Sequence, residues 1–179
     1  MSRKRRILGS LTAVLAVTVS LFVVTAGPAS AGDITWCNSN RSSTPENYHY
    51  IVLPALGYDR VSIDLCAART ESPSQRLAFG TVDWNADMTR GKAFNSFKLT
   101  VRLERADRVE LTRTCDLTSA LNSRSTSSLV PRASRMCKTA WFKNAPKYKW
   151  TGDGVVKFDI YGDGKGTYTW NLRGSPEIY

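Results

Sequence analysis

Phe97-Lys98-Leu99-Thr100-Val101-Arg102-Leu103-Glu104 alternates apolar and polar side chains without a break. In an extended chain successive side chains point to opposite faces, so this period of two predicts a strand with one buried face. After Arg105-Ala106-Asp107-Arg108 the pattern resumes, with Val109, Leu111 and Cys115 opposed by Glu110, Thr112 and Thr114. The two runs predict a hairpin with those four residues as its turn.

Other strands follow from the same reading. Upstream, Val61, Ile63 and Leu65 alternate with Ser62, Asp64 and Cys66. Leu77 to Trp84 predicts a strand in which Gly80 marks a bulge, and Tyr48 to Leu53 predicts another, ended by Pro54. Downstream, Val155 to Tyr161 and Thr167 to Leu172 are rich in β-branched and aromatic residues and flank Gly162-Asp163-Gly164-Lys165-Gly166, a second hairpin signature. Helical periodicity is confined to Thr118 to Asn122. About seven short strands predict a single all-β domain, an antiparallel sandwich or barrel.

The first 31 residues read differently. Arg3, Lys4, Arg5 and Arg6 precede Ile7 to Ala26, whose only polar side chains are hydroxyls, and Ala29-Ser30-Ala31 closes the stretch. A basic start, an apolar run and a small-x-small site predict a secretory signal peptide over 1–31, cleaved before Gly32. An apolar run of this length also spans a bilayer, but Pro28 and the Ala-x-Ala site favour release over an anchor. Arg5-Arg6 leaves both the general secretory and the twin-arginine routes open. The expectation is a secreted, extracellular domain over 32–179, with no membrane span of its own.

Cys37, Cys66, Cys115 and Cys137 all lie in that domain. Outside the cytosol an even number of cysteines predicts disulfides, and four allow three connectivities. No short C-x-x-C knuckle is present, which argues against zinc. Sequential pairing closes the shortest loops, so Cys37–Cys66 and Cys115–Cys137 are expected.

The 179 residues carry one histidine, His49. A two-histidine metal site is excluded, and no metal or cofactor is expected. Asp159 and Asp163 brush against a calcium loop, but Tyr161 and Trp170 stand where an EF-hand needs oxygen ligands. Asp153, Asp159 and Asp163 read better as solubilising residues around a hairpin turn. Glu46 near His49 offers a carboxylate and an imidazole for acid–base chemistry, without any motif around them. No G-x-S-x-G elbow exists, and paired cysteines leave no thiol for catalysis. An aspartate–glutamate pair for sugar hydrolysis leaves no trace that a sequence would show. No catalytic residue is assigned.

The strongest signal is charge. The net charge is +10, from 25 basic and 15 acidic residues. The first 31 residues hold four of the bases and no acid, which leaves +6 for residues 32–179. Residues 117–152 hold no acid and seven bases: Arg124, Arg132, Arg135, Lys138, Lys143, Lys147 and Lys149. The rest of the domain is therefore close to neutral. From Trp141 to Trp150 the lysines are interleaved with Phe142, Tyr148 and the two tryptophans. Lysines bind polyanions by releasing counterions, and aromatic faces stack on bases or sugars.

The reading is a binding protein, not an enzyme, whose partner is an anionic polymer such as a cell-wall polymer or nucleic acid. Lys138, Trp141, Lys143, Lys147, Tyr148, Lys149 and Trp150 are its expected contacts. Two other readings stay open. Residues 125–135, with Arg132 after Pro131, suit the binding loop of a protease inhibitor. A small secreted hydrolase or nuclease is the enzymatic one.

Overall fold

The computed structural model describes residues 34–38, 47–54, 57–70, 74–85, 92–123 and 132–179. Within them lie ten strands and one short helix, arranged as two antiparallel sheets. The expected signal peptide at 1–31 lies outside the described residues.

The first sheet is built on β3 (Gly57–Thr70). One edge of β3 is shared by β2 (Tyr48–Leu53), along its first half, and β1 (Ile34–Asn38), along its second. The other edge pairs with β4 (Gln75–Asn85) through a ten-position ladder from Val61↔Trp84 to Thr70↔Gln75. The far edge of β4 is covered in turn by β7 (Arg132–Lys138) and β8 (Phe142–Lys143). The second sheet runs β10–β9–β5–β6, with β5 at Phe94–Arg105, β6 at Arg108–Asp116, β9 at Trp150–Ile160 and β10 at Thr167–Asn171.

The alternation that predicted strands also decides what is buried. Phe97, Leu99, Val101 and Leu103 of β5 are fully buried, as are Val61, Ile63 and Leu65 of β3. In β9 nearly every second residue from Trp150 to Ile160 points inward. These side chains, with Val82 and Trp84 of β4, form one apolar cluster shared by both sheets.

Local chemistry sets the turns. Ala106 and Asp107 adopt φ of 48° and 63° between β5 and β6. Two positive φ values are what a two-residue hairpin of the right twist requires. The helix α1 (Thr118–Asn122) falls where the sequence placed it. It supplies acceptors to the start of β5: Asn122 Oδ1 takes the Ala93 and Phe94 amides at 2.9 Å, and Thr118 Oγ1 takes the Phe97 amide at 2.8 Å.

Both expected disulfides are formed and no cysteine is free. Cys37 and Cys66 are direct partners in the β1–β3 ladder. Cys115 and Cys137 join β6 of one sheet to β7 of the other, so this bond locks the two sheets together.

Two expectations need correction. The strands are more numerous than seven, and several are long. β3 runs 14 residues, because Ala67 to Thr70 continue its ladder past the alternating stretch. Gly80 marks no bulge, for the register runs through it unbroken, with Leu65 on one side and Cys137 on the other. Its role is clearance instead. A Cβ there would stand 2.9 Å from Leu99 Cδ2, so the glycine lets the second sheet settle on the first.

Candidate functional site: a basic pocket

The acid-free segment does not form one continuous face. Its first part, to Ser123, carries α1, and residues 124–131 lie outside the described residues. Residues 132–135, the end of the stretch considered as an inhibitor loop, belong to β7 and pair with β4 from Asn85 to Val82.

The aromatic part, 141–150, divides between core and surface. Trp150 is fully buried, and its indole Nε1 donates to the Pro146 carbonyl at 3.1 Å. Phe142 packs against it with ring centroids 5.0 Å apart, and the Arg105 guanidinium lies 5.7 Å from the Trp150 ring. Trp150 is thus a core side chain and offers no face to a ligand. Trp141 is half-buried. Tyr148 is exposed.

The lysines also differ. Lys138 and Lys143 are exposed on β7 and β8, which cover successive stretches of β4. Lys149 is held by Glu177 at 3.0 Å, and that hydrogen bond and ion pair raise its pKa above the ordinary value. Glu177 is lowered by hydrogen bonds from Lys149 and Tyr179. Lys149 therefore has an anionic partner already.

Lys147 lines a pocket of about 520 Å³ together with Arg69, Thr70, Ser74, Arg76 and Tyr179. The pocket forms where the end of the β3–β4 hairpin meets the chain between β8 and β9. Two reciprocal hydrogen bonds fix this junction: Ala145 N donates to the Ser74 carbonyl at 3.0 Å, and Ser74 Oγ donates to the Ala145 carbonyl at 2.8 Å. Ala145 is buried at the junction, and Lys147, two residues on, is exposed and lines the pocket.

The floor is unusual. Arg69 and Arg76 are direct cross-strand partners in the β3–β4 ladder. Like charges directly opposite each other destabilise a sheet. Arg69 donates to the main-chain oxygen of Tyr179. Arg76 is only 3% exposed, and among the described residues it makes no ion pair. Its Nη1 donates to the Gln75 carbonyl at 2.9 Å and reaches Ser74 Oγ and the Thr70 carbonyl at 3.4 Å, while Nε has no partner. Burial, and then the Arg69 charge, lower the Arg76 pKa from its ordinary value. Burial strips this cation of water, and the Arg69 guanidinium across the ladder repels it. Glu71, in the hairpin connection, lies outside the described residues.

Other polar groups of the described residues have partners elsewhere in the fold. His49 packs edge-on against Trp170, with ring centroids 4.4 Å apart, and burial lowers its pKa. It borders a cleft of about 530 Å³ with Asp163 and Tyr168, but Tyr168 Oη donates to Asp163 at 2.7 Å and the Lys165 amide to the same carboxylate at 2.9 Å. Glu46 lies outside the described residues. Glu104 and Asp153 are bridged by Arg102, which makes them members of an ion-pair group. Among the described residues no three histidine, cysteine or carboxylate side chains group as a metal site would need.

Arg69 and Arg76 were not among the expected contacts, although the sequence held a signal for them. The hairpin register alone pairs them, once β3 is carried to Thr70 and β4 begins at Gln75. Comparison with protein-family models, with curated proteins and with solved structures returns no match.

Proposed function

We propose that this chain is a secreted, disulfide-bonded protein that binds an anionic polymer, and that the polymer docks on the basic pocket and the exposed lysines beside it. We read its two sheets as the layers of a sandwich, with the Cys115–Cys137 bond holding them in register. The two disulfides are compatible with an extracellular setting, and the basic, apolar and Ala-x-Ala features of 1–31 supply the route.

One observation carries the reading. Cations from separate stretches of chain, Arg69, Arg76 and Lys147, line one concavity that no aspartate or glutamate among the described residues lines. Lys143 adjoins it, because β8 pairs Phe142 with Arg76 and Lys143 with Gln75. A concave basic surface concentrates the field on an anion more than scattered lysines do.

The test is binding of the 32–179 protein to polyphosphate, teichoic acid and single-stranded DNA at two salt concentrations. Lys143→Gln with Lys147→Gln should weaken binding and flatten the salt slope by roughly one to two units. Lys98→Gln with Lys157→Gln, a pair on the second sheet, should do less. Equal loss from both pairs, or no binding to any of the three polymers, would refute the proposal.

A further inference from the structure

We propose that the cleft between β2 and the β9–β10 hairpin is a second binding site, and that it takes a neutral sugar ring. It shares no lining residue with the basic pocket, so it goes beyond the polyanion reading and does not depend on it.

The cleft lies at an edge where the two sheets are tied together. Asn47, fully buried just before β2, exchanges hydrogen bonds with the main chain of Arg173: the Arg173 amide donates to Oδ1 at 2.6 Å, and Nδ2 donates to the Arg173 carbonyl at 3.0 Å. Two residues on, His49 packs against Trp170 of β10. Beside these ties, β2 contributes His49 to Val52 to the cleft, and the hairpin contributes Phe158, Ile160, Asp163, Lys165 and Tyr168. Tyr168 and Phe158 are cross-strand partners whose rings stack, with centroids 5.2 Å apart and planes 15° from parallel. Tyr168 is half-buried, so part of it still meets solvent.

The polar groups are set in place by the same hairpin. Asp163 stands between Gly162 and Gly164, whose φ of 79° and 68° turn the chain. Hydrogen bonds from the Lys165 amide and from Tyr168 Oη orient its carboxylate and lower its pKa, so it is ionised at neutral pH. A carboxylate accepts about four hydrogen bonds. These two leave acceptor capacity on a group whose position is already fixed. Lys165 supplies the opposite charge to the same lining. Burial holds His49 toward its neutral form, in which the imidazole offers one donor and one acceptor.

This lining selects its ligand by elimination. Aromatic and aliphatic walls with a few fixed polar groups suit a molecule that carries both characters. A purely apolar molecule would strip water from Asp163 and return no hydrogen bond. An anion meets the Asp163 charge, and a cation meets the Lys165 charge. A sugar ring meets neither penalty. Its C–H faces lie against aromatic rings, while its hydroxyls donate to the carboxylate and accept from the ammonium or the imidazole. The volume of about 530 Å³ is that of a small-molecule site.

The experiment reads the chain's single histidine by NMR. His49 lines the cleft, so its ring signals report occupancy there directly. The 32–179 protein is titrated at fixed pH with methyl glucoside, methyl galactoside, methyl mannoside and N-acetylglucosamine, and with choline and phenylalanine beside them. At least one sugar should shift the His49 signals saturably at millimolar concentration and bind more tightly than choline or phenylalanine. Asp163→Asn keeps the shape of the side chain and removes its charge, and it should weaken that sugar roughly tenfold, the loss expected of a charged hydrogen bond. Tyr168→Phe keeps the stacked ring and removes one of the two bonds that orient the carboxylate. It should weaken the sugar severalfold, and it serves as the decisive variant if circular dichroism shows that Asp163→Asn does not fold. No shift with any of the sugars, tighter binding of choline or phenylalanine, or wild-type affinity in the folded variants would overturn the site.

Discussion

Replacing Gly152 by alanine should be among the most damaging single-atom additions this protein can suffer. Gly152 lies in β9 opposite Leu103 of β5, and its missing side chain faces the first sheet. A Cβ built there stands 2.5 Å from the Cys66 carbonyl oxygen, 3.0 Å from its carbon and 3.3 Å from Ala78 Cβ. Restoring ordinary contact at 3.4 Å needs a shift of about 0.9 Å. No rotamer change can supply it, because the obstacle is backbone of the central strand β3. Overpacking of this kind costs about 3 kcal/mol. The shift also pulls on two hydrogen bonds, Gly152 N to Ser175 Oγ at 2.8 Å and Ser175 N to the Gly152 carbonyl at 2.7 Å, each worth about 1 kcal/mol. The expected loss is about 4 kcal/mol, or roughly 10 °C in Tm for a domain of this size. Urea unfolding of Gly152→Ala beside Gly162→Ala measures it. Gly162 has a φ of 79° and open space around it, so its alanine carries only backbone strain of about 1 kcal/mol. If the two variants lose the same amount, the close approach of the sheets at Gly152 is refuted.

Three other outcomes are expected. Loop lengths alone give the two disulfides nearly equal worth, about 3.5 kcal/mol each, but Cys115→Ala with Cys137→Ala should cost about 1–2 kcal/mol more than Cys37→Ala with Cys66→Ala. Cys137 is fully buried and bridges the sheets, whereas Cys37 is exposed, and equal midpoint shifts in urea would contradict this. Ala106→Gly should raise stability by about 1 kcal/mol by relieving a non-glycine φ of 48°, which thermal unfolding reads directly. Thr118→Val should flatten the acid limb of stability: hydrogen bonds from Thr118 hold Asp116 below its ordinary value of 3.8, so the carboxylate's contribution is complete above about pH 4 and lost as the pH falls through the folded-state value. Unfolding midpoints of wild type and variant from pH 2 to pH 7 test it, and parallel curves would show that the Thr118 hydroxyl does not lower the Asp116 pKa.

Alternation revealed most of the fold, and its failures were physical. Where one face of a strand is buried and the other is wet, the period of two is plain, as in β5. Strand ends escape this test. Ala67 and Ala68 of β3 are both buried, one in each direction, so the pattern fades while the ladder with β4 runs on to Thr70. The two-residue turn at Ala106-Asp107 lacked the glycine or asparagine that usually marks it, and only the matching runs on either side betrayed it. The disulfides were legible because short loops close most readily, and the ladder of β1 on β3 then set Cys37 directly against Cys66.

The candidate site was half legible for a related reason. The excess of lysine after residue 117 is a property of composition, and composition survives without knowledge of the fold. It gathered Lys147, which lines the pocket, and Lys143 beside it, together with Trp150, which the core claims, and Lys149, which Glu177 holds. Arg69 and Arg76 come from the nearly neutral remainder, seven positions apart, with an acid between them in sequence. Only the register of the β3–β4 hairpin makes them partners, and only the junction of Ser74 with Ala145 brings Lys147 into the lining of the same pocket. A charge count averages such residues away. What marks Arg76 is burial with no ion pair among the described residues, and burial is a property of the folded chain alone.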